Sequence, residues 1–167
     1  MSCLINAGLL KDSCQFLIGG ISAVYLANKE EVVSILDTDT DMILDDITMI
    51  SGATFYKFDT SKNTSNYTQT LTVAGSNKYI LQSVDFFVPR ADQDAIDIAE
   101  KLALGTFVAI VENRMGKQLV LGLTNGLEAT VGEINSGVAE GDSSAVHFTL
   151  VGAELGFGSE FAGVIPV

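Results

Sequence analysis

The clearest pattern in the chain is the alternation of apolar and polar residues between Tyr67 and Val88. In the run Tyr67–Ala74 the threonines occupy one face, and Tyr67, Leu71 and Val73 occupy the other. The short turn Gly75-Ser76-Asn77 separates it from a second alternating run, Lys78–Val88. We predict a long β-hairpin here. Apolar residues occur on both faces of its second strand, so we expect both faces to be covered.

The segment Asp92–Leu104 has the period of a helix and is the only good helix candidate in the chain. Asp92 can cap its first turn, Lys101 lies in its last turn and Gly105 follows it. Its apolar stripe is Ile96, Ala99, Leu102 and Ala103. We expect this stripe to pack on the sheet.

The rest of the chain is dominated by strand signals. Predicted strands are Ile21–Ala27, Glu31–Leu36, Ile47–Ile50, Thr54–Phe58, Thr106–Glu112, Gln118–Leu123, Leu127–Val131 and Ser144–Gly152. Residues Glu133–Ser143 have the composition of a loop, and the glycine-rich end, Leu155–Val167, that of an arm without a strand. We predict a single, mainly β domain over residues 1–167. It would be a β-sandwich or barrel with one packed α-helix and extended arms at 1–14 and 155–167.

Composition and charge narrow the function classes. The chain has 167 residues, a formal charge of -12 and 47% hydrophobic residues, and it has no Lys or Arg from Gln118 to Val167. An acidic, basic-free segment is a poor platform for nucleic acid. The apolar surplus points to a protein interface, a ligand cavity or a membrane. We do not expect a membrane, because the longest uncharged run, Ser13–Asn28, is short and broken by glycines.

Candidate chemistry is sparse. The spacing of Asp37, Asp39 and Asp41 matches the first ligands of a calcium loop, but Met42 and Thr48 occupy positions that need Gly and Glu. His147 is the only histidine, and no nucleophile elbow accompanies it. We therefore expect no enzyme activity, no metal and no cofactor.

Several stretches together resemble the tail tube proteins of long-tailed bacteriophages, especially those of phages infecting Bacteroidetes. They are CQFLIGGISAVYLAN at Cys14–Asn28, FYKF at Phe55–Phe58, the threonine-rich Thr64–Thr72, FVAIVENRMGK at Phe107–Lys117, LVLGLTNGLE at Leu119–Glu128, and Gly141-Asp142 leading into VHFTLVG at Val146–Gly152. Two features depart from the family pattern. Gly152-Ala153-Glu154 follows the closing strand where the family often has Gly-Glu-Glu, and the aspartate-rich stretch Asp37–Asp46 has no counterpart.

The resemblance implies a virion structural protein that is assembled in the host cytoplasm. Copies would form stacked, hexameric rings whose inner sheets make one continuous barrel, and DNA would pass through it during ejection. The implied partners are further copies of the chain and other phage tail proteins, with DNA in transient, non-sticking contact. Other virion roles stay open, namely a tail terminator, a head-tail connector or a capsid-associated protein. A small β-barrel that binds an apolar ligand is the alternative from another class.

Three groups of residues are candidates for roles in such an assembly. We expect Glu128 and Glu133 to face the lumen, because they are acids on or beside a predicted strand. An inter-ring or outer loop would contain Asp37, Asp39, Asp41, Asp45 and Asp46. The arm that packs between subunits would use Phe157, Phe161 and Ile165, and the segment before Cys14 would also contact neighbours.

Overall fold

The computed structural model describes residues 5, 7–9, 18–38, 43–139, 142 and 144–167. Its strands are β1 (Ile21–Asn28), β2 (Val32–Leu36), β3 (Asp46–Met49), β4 (Tyr56–Asp59), β5 (Asn66–Ala74), β6 (Asn77–Val88), β7 (Thr106–Asn113), β8 (Gln118–Leu121), β9 (Leu127–Asn135), β10 (Ala145–Glu154) and β11 (Ser159–Phe161). The helix α1 (Gln93–Leu104) lies between β6 and β7, and a 3-10 turn (Lys29–Glu31) follows β1. The prediction of a mainly β fold with one helix is confirmed.

Strand β7 is the centre of a nine-stranded antiparallel sheet. One of its edges pairs with β1, which pairs in turn with β4. The other edge is shared between β8, which continues to β11, and β9, which continues through β10 and β6 to β5. No closed barrel forms among the described strands, so of the two predicted architectures the barrel is not found.

Both faces of β7 are buried, which explains its unbroken apolar run. Phe107, Ala109 and Val111 enter a first core, whereas Val108 and Ile110 enter a second one. In the first core β1 and β7 pack against β6 and β10, as two layers of a sandwich do, and α1 closes one side. Contacts between aromatic side chains link the layers; for example, the ring centroids of Phe58 and Phe86 are 5.5 Å apart.

The helix has the caps that its sequence predicts. The Asp92 carboxylate accepts a hydrogen bond from the backbone N–H of Ala95 at 3.0 Å, and Gly105 ends the helix. Ala99 and Leu102 are buried as expected, but Ala95 completes the buried stripe and Ala103 is exposed. The observed stripe is therefore rotated slightly from the predicted one.

The second core corrects the prediction for the C-terminal arm. Residues Ser159–Phe161 form β11 on β8, and Phe55 N–H donates to the carbonyl of Pro166 at 2.7 Å. This segment covers β7 and β8 together with the small sheet of β2 and β3. The expectation of an arm without a strand is wrong, because three residues are too few to show an alternating pattern.

Strand β9 is longer than predicted and contains a bulge. It continues to Asn135, so Glu133 lies in a strand and not in a loop. Val131 pairs with Thr149 and Ala129 pairs with Leu150, which leaves Thr130 as the extra residue. The bulge brings Val131 to the same face as Glu128, whereas strict alternation predicts opposite faces.

Candidate functional site: an open sheet face and its edges

Four strands form a layer with one uncovered face. In the order β5-β6-β10-β9, which we call the four-strand layer, each strand runs antiparallel to the next. One face carries Val84, Phe86 and Leu150 into the first core. No described element covers the opposite face, which we call the open face. Of the two apolar faces predicted for β6, one is thus covered within the chain and the other is not.

The open face is polar and acidic, with apolar residues between the polar ones. On β5 it shows Asn66, Thr68, Thr70 and Thr72, and its apolar members include Leu81, Phe87, Val131 and Val151. Its charged acids are Asp85, Glu128 and Glu133, and its strand positions hold no Lys or Arg. The predicted basic-free character therefore extends across a whole face of the layer.

The two acids predicted for the lumen lie on this one face. Through the bulge, Glu128 is aligned with Val151 and Glu133 with His147 on β10. Both are exposed, and their hydrogen bonds are long: Glu128 accepts from the Thr106 hydroxyl at 3.3 Å and Glu133 from the Asn135 amide at 3.3 Å. The structure thus leaves both carboxylates exposed to solvent.

A third acid, Asp85, was not among the sequence-based candidates and lies near the middle of the face. Its Oδ1 is 2.5 Å from Nε2 of His147 and accepts from the Thr149 hydroxyl at 3.1 Å. The ring of Phe87 lies 6.3 Å from the imidazole. The sequence signal for Asp85 is that it is the one charged residue at the outward phase of β6.

The outer edge strands of the large sheet differ in length and in charge. The outer edges belong to β4 and β11, which have four and three residues, and to β5, which has nine. β4 carries the ion pair Lys57–Asp59 at 2.8 Å, and Glu160 of β11 pairs with Lys117 at 3.0 Å. Short length and charge protect an edge from pairing with another chain. β5 has neither, since it contains no charged residue, no proline and no bulge.

The four-strand layer has a second open edge on β9. β7 pairs with β9 only at Leu127 and Glu128. From Thr130 to Asn135 every residue is exposed, and no described strand pairs with the far side of β9. The layer therefore ends in open backbone hydrogen-bonding groups on both sides.

One buried acid, Glu154, fixes the end of the layer, and no local sequence pattern indicates its role. Glu154 is 4% exposed. Its carboxylate accepts hydrogen bonds from the backbone N–H groups of Thr124, Asn125 and Gly126, the shortest at 2.8 Å. Three converging N–H groups form a small anion cradle, which the carboxylate fills from within the chain.

The predicted outer loop is only partly described. Asp39 and Asp41 lie outside the described residues, while Asp37, Asp45 and Asp46 lie at the two ends of the loop. Asp45 accepts from the backbone N–H of Thr38 at 2.9 Å and from its hydroxyl. The hydrogen bonds from Thr38 lower the pKa of Asp45. They tie the two ends of the loop together within one chain.

The three aromatic and aliphatic residues of the predicted packing arm have different surroundings. Phe161 is buried in the second core, and Ile165 packs against that core. Phe161 therefore packs within its own chain, which corrects its predicted role between subunits. Phe157 is 63% exposed and remains available to a neighbour.

No metal or small-molecule site emerges from the described side chains. Among them, no three His, Cys, Asp or Glu residues are grouped so that they could hold a metal ion. A cleft beside Tyr67, Lys117 and Glu160 encloses about 140 Å³. Small-molecule pockets usually enclose about 300–1,000 Å³. None of the described helices has the length and apolar character needed to cross a membrane.

Comparisons with protein-family models, with curated proteins and with solved structures find no match.

Proposed function

We propose that this chain is a structural subunit that assembles into rings, and that stacked rings form a phage tail tube through which DNA passes. The observation that carries the proposal is the four-strand layer, with an uncovered face and an open edge on each side. The resemblance of the sequence to tail tube proteins supplies the particular assembly. In this role the chain is a structural component of the virion and catalyses no reaction.

The strand directions of the layer suit closure into a ring. Because four strands alternate in direction, β5 and β9 run in opposite directions. When β9 of one copy meets β5 of the next, the new pair is antiparallel like the others. Such a head-to-tail contact uses two different edges and closes when the rotation per copy divides a full turn.

The size of such a ring is compatible with a DNA channel. Six copies contribute twenty-four strands, and strands about 4.8 Å apart form a circle about 37 Å across between backbones. Strand tilt widens the circle further. With the first core on the outside, the open face lines the inside, and the channel is wide enough for a DNA duplex.

The acidic charge of the open face suits a channel through which DNA passes without adhering to the lining. Asp85, Glu128 and Glu133 would recur once per copy around the channel, and no Lys or Arg on that face accompanies them. Binding to DNA depends largely on cations that neutralise phosphates. An acidic lining without such cations repels the duplex, so that it slides.

The alternative of a small barrel that binds an apolar ligand has less support. The described strands leave the sheet open, and the cleft beside Tyr67 is small and partly polar. The apolar surplus of the chain lies instead at exposed positions on the surface, which suits contacts with other protein copies.

Reversing the charge of the lining acids tests the proposed role of the open face. The double variant Glu128→Lys and Glu133→Lys is expected to assemble like the wild type, because both side chains are exposed and make only long hydrogen bonds. Its assemblies should bind a short DNA duplex at low salt, whereas wild-type assemblies should not. Fluorescence anisotropy of labelled duplex, repeated over a salt series, measures the difference.

The matched control changes the net charge equally away from the open face. Glu30 lies on the 3-10 turn and Glu100 on α1, and both are exposed. The variant Glu30→Lys with Glu100→Lys should bind less duplex than the variant of the open face. Equal binding by both variants would argue that net charge alone matters and would contradict the lining role.

A further inference from the structure

The tip of the β5–β6 hairpin projects beyond the strand beside it. The last pair between β6 and β10 is Ile80 with Glu154. Three further pairs, from Thr72–Tyr79 to Ala74–Asn77, continue the hairpin without a third strand. A two-stranded ribbon on its own is only marginally stable in water. The tip would therefore gain stability from a partner.

The projecting tip borders an exposed apolar patch, which we call the tip patch and which consists of Leu71, Val73, Leu155 and Phe157. Leu71 and Val73 lie on the core-facing side of β5, where nothing described covers them. The Gln69 side chain accepts from the backbone N–H of Gly158 at 2.6 Å, and Gln82 donates to the carbonyl of Gly156 at 3.0 Å. These bonds tie the segment 156–158 to β5 and β6, so that Leu155 and Phe157, which are 83% and 63% exposed, lie at the same end of the layer as Leu71.

The opposite end of the same layer presents a complementary feature. The turn after β9 exposes Val138 almost completely, at 99%. Asp142 fixes this turn, because its carboxylate accepts from the backbone N–H groups of Val138 and Ala139 at 2.9 and 2.8 Å. This end of the layer therefore presents an almost fully exposed valine whose backbone N–H is bonded to a carboxylate.

The two ends also carry opposite charges. Lys78 pairs across the hairpin with Val73, and no described carboxylate lies within ion-pair distance of it. Asp142 makes no ion pair with a described cation, and the hydrogen bonds from Ala139 and Val138 lower its pKa. One end of the layer thus has Val73 beside the cation Lys78, and the opposite end has Val138 beside the anion Asp142. The two features lie at opposite ends of the layer, and two strand positions, about 10 Å, separate them laterally. A copy shifted along the strands and by this lateral offset brings them together.

We propose that the tip patch of one copy docks on the Val138 turn of a second copy in the next ring, so that this contact stacks the rings. The proposal rests on the proposed ring and adds the surface that extends rings into a tube. It predicts that ring formation and ring stacking are separable by mutation at Val138 and Phe157, because these two residues lie outside the lateral edges β5 and β9.

A charged residue in the contact tests the separation. The variants Val138→Asp and Phe157→Asp should still form rings but shorten the tubes by about tenfold or more, since one lost contact of about 1.4 kcal/mol already lowers an association constant tenfold. Sedimentation velocity measures the rings, and negative-stain imaging measures tube length. The control Val33→Asp places the same charge at an exposed valine of β2 and should leave tube length unchanged.

A crosslink tests the contact itself. In a chain with Cys3→Ser and Cys14→Ser, the pair Val73→Cys and Val138→Cys should give a disulfide ladder longer than one ring, and the pair Val33→Cys and Val138→Cys should not. Tubes of normal length in Val138→Asp, with no ladder from the first pair, would overturn the stacking contact and leave the ring intact. A wild-type chain that forms no ring would overturn the proposed function, and the stacking contact with it.

Discussion

We expect rings to be lost when a proline removes one backbone donor from the outer edge of β5. In an edge strand, neighbouring residues direct their N–H groups alternately to the paired strand and to the open side. Of Thr70→Pro and Leu71→Pro, one therefore deletes a donor needed by the next copy and the other deletes a bond to β6. A proline is tolerated on an edge strand where its nitrogen faces outward.

The variant that keeps the fold is the informative one. It is identified by a thermal unfolding midpoint close to that of the wild type, while the other variant should be destabilised by about 1–3 kcal/mol, because a β6 carbonyl loses its hydrogen-bond donor. We expect the fold-retaining proline variant to sediment as a monomer at concentrations where the wild type forms rings. Thr70→Val is the control, since it removes the hydroxyl and keeps the backbone donor. Rings in the fold-retaining proline variant would show that β5 is not the ring-forming edge.

Removing the buried Glu154 carboxylate should destabilise the fold far more than removing an exposed acid. Glu154→Ala leaves the backbone N–H groups of Thr124, Asn125 and Gly126 without their partner. An unsatisfied buried donor costs about 1–3 kcal/mol. Since water would gain partial access to the cradle, we expect the free energy of unfolding to fall by about 3 kcal/mol in total. Urea denaturation of the dilute protein measures this change.

Two further variants distinguish the contribution of the Glu154 hydrogen bonds to stability from a general effect of removing an acidic side chain. Glu154→Gln keeps one acceptor oxygen but turns an amide toward the same N–H groups, so its loss should be intermediate. Glu133→Ala removes an exposed acid and should change the free energy of unfolding by less than about 0.5 kcal/mol. Equal stability of Glu154→Ala and Glu133→Ala would mean that the cradle contributes nothing to the fold.

The local pattern of the sequence is sufficient for the regular elements. The alternation from Tyr67 to Val88 predicts β5 and β6 to within one residue at each end. The helix between Asp92 and Gly105 follows from its caps. These elements are specified by residues within a few positions of one another, which a single sequence displays directly.

The parts that were not predicted depend on contacts between distant residues. The bulge at Thr130 comes from the register of β9 against β10, and it decides that Val131 joins Glu128 on the open face. Glu154 is buried because the turn at 124–126 closes over it, some thirty positions earlier in the chain. β11 exists because β8 offers it an edge. No local periodicity carries such information.

The chemistry of the candidate site was easier to predict than its geometry. The lack of Lys and Arg after Gln118 indicated an acidic, DNA-repelling surface, and Glu128 and Glu133 do lie on one face. Asp85, on the other hand, lies far away in the sequence and joins them only through the pairing of β6 with β10. The role of that face in a channel stays a prediction.

Cryo-electron microscopy of the concentrated protein would show whether the chain forms the proposed channel. We predict rings or tubes in which β9 of each copy pairs antiparallel with β5 of the next, with Asp85, Glu128 and Glu133 facing a central channel. A stable monomer at every concentration would contradict the proposal, as would an assembly in which these two edges stay unpaired and the open face points outward.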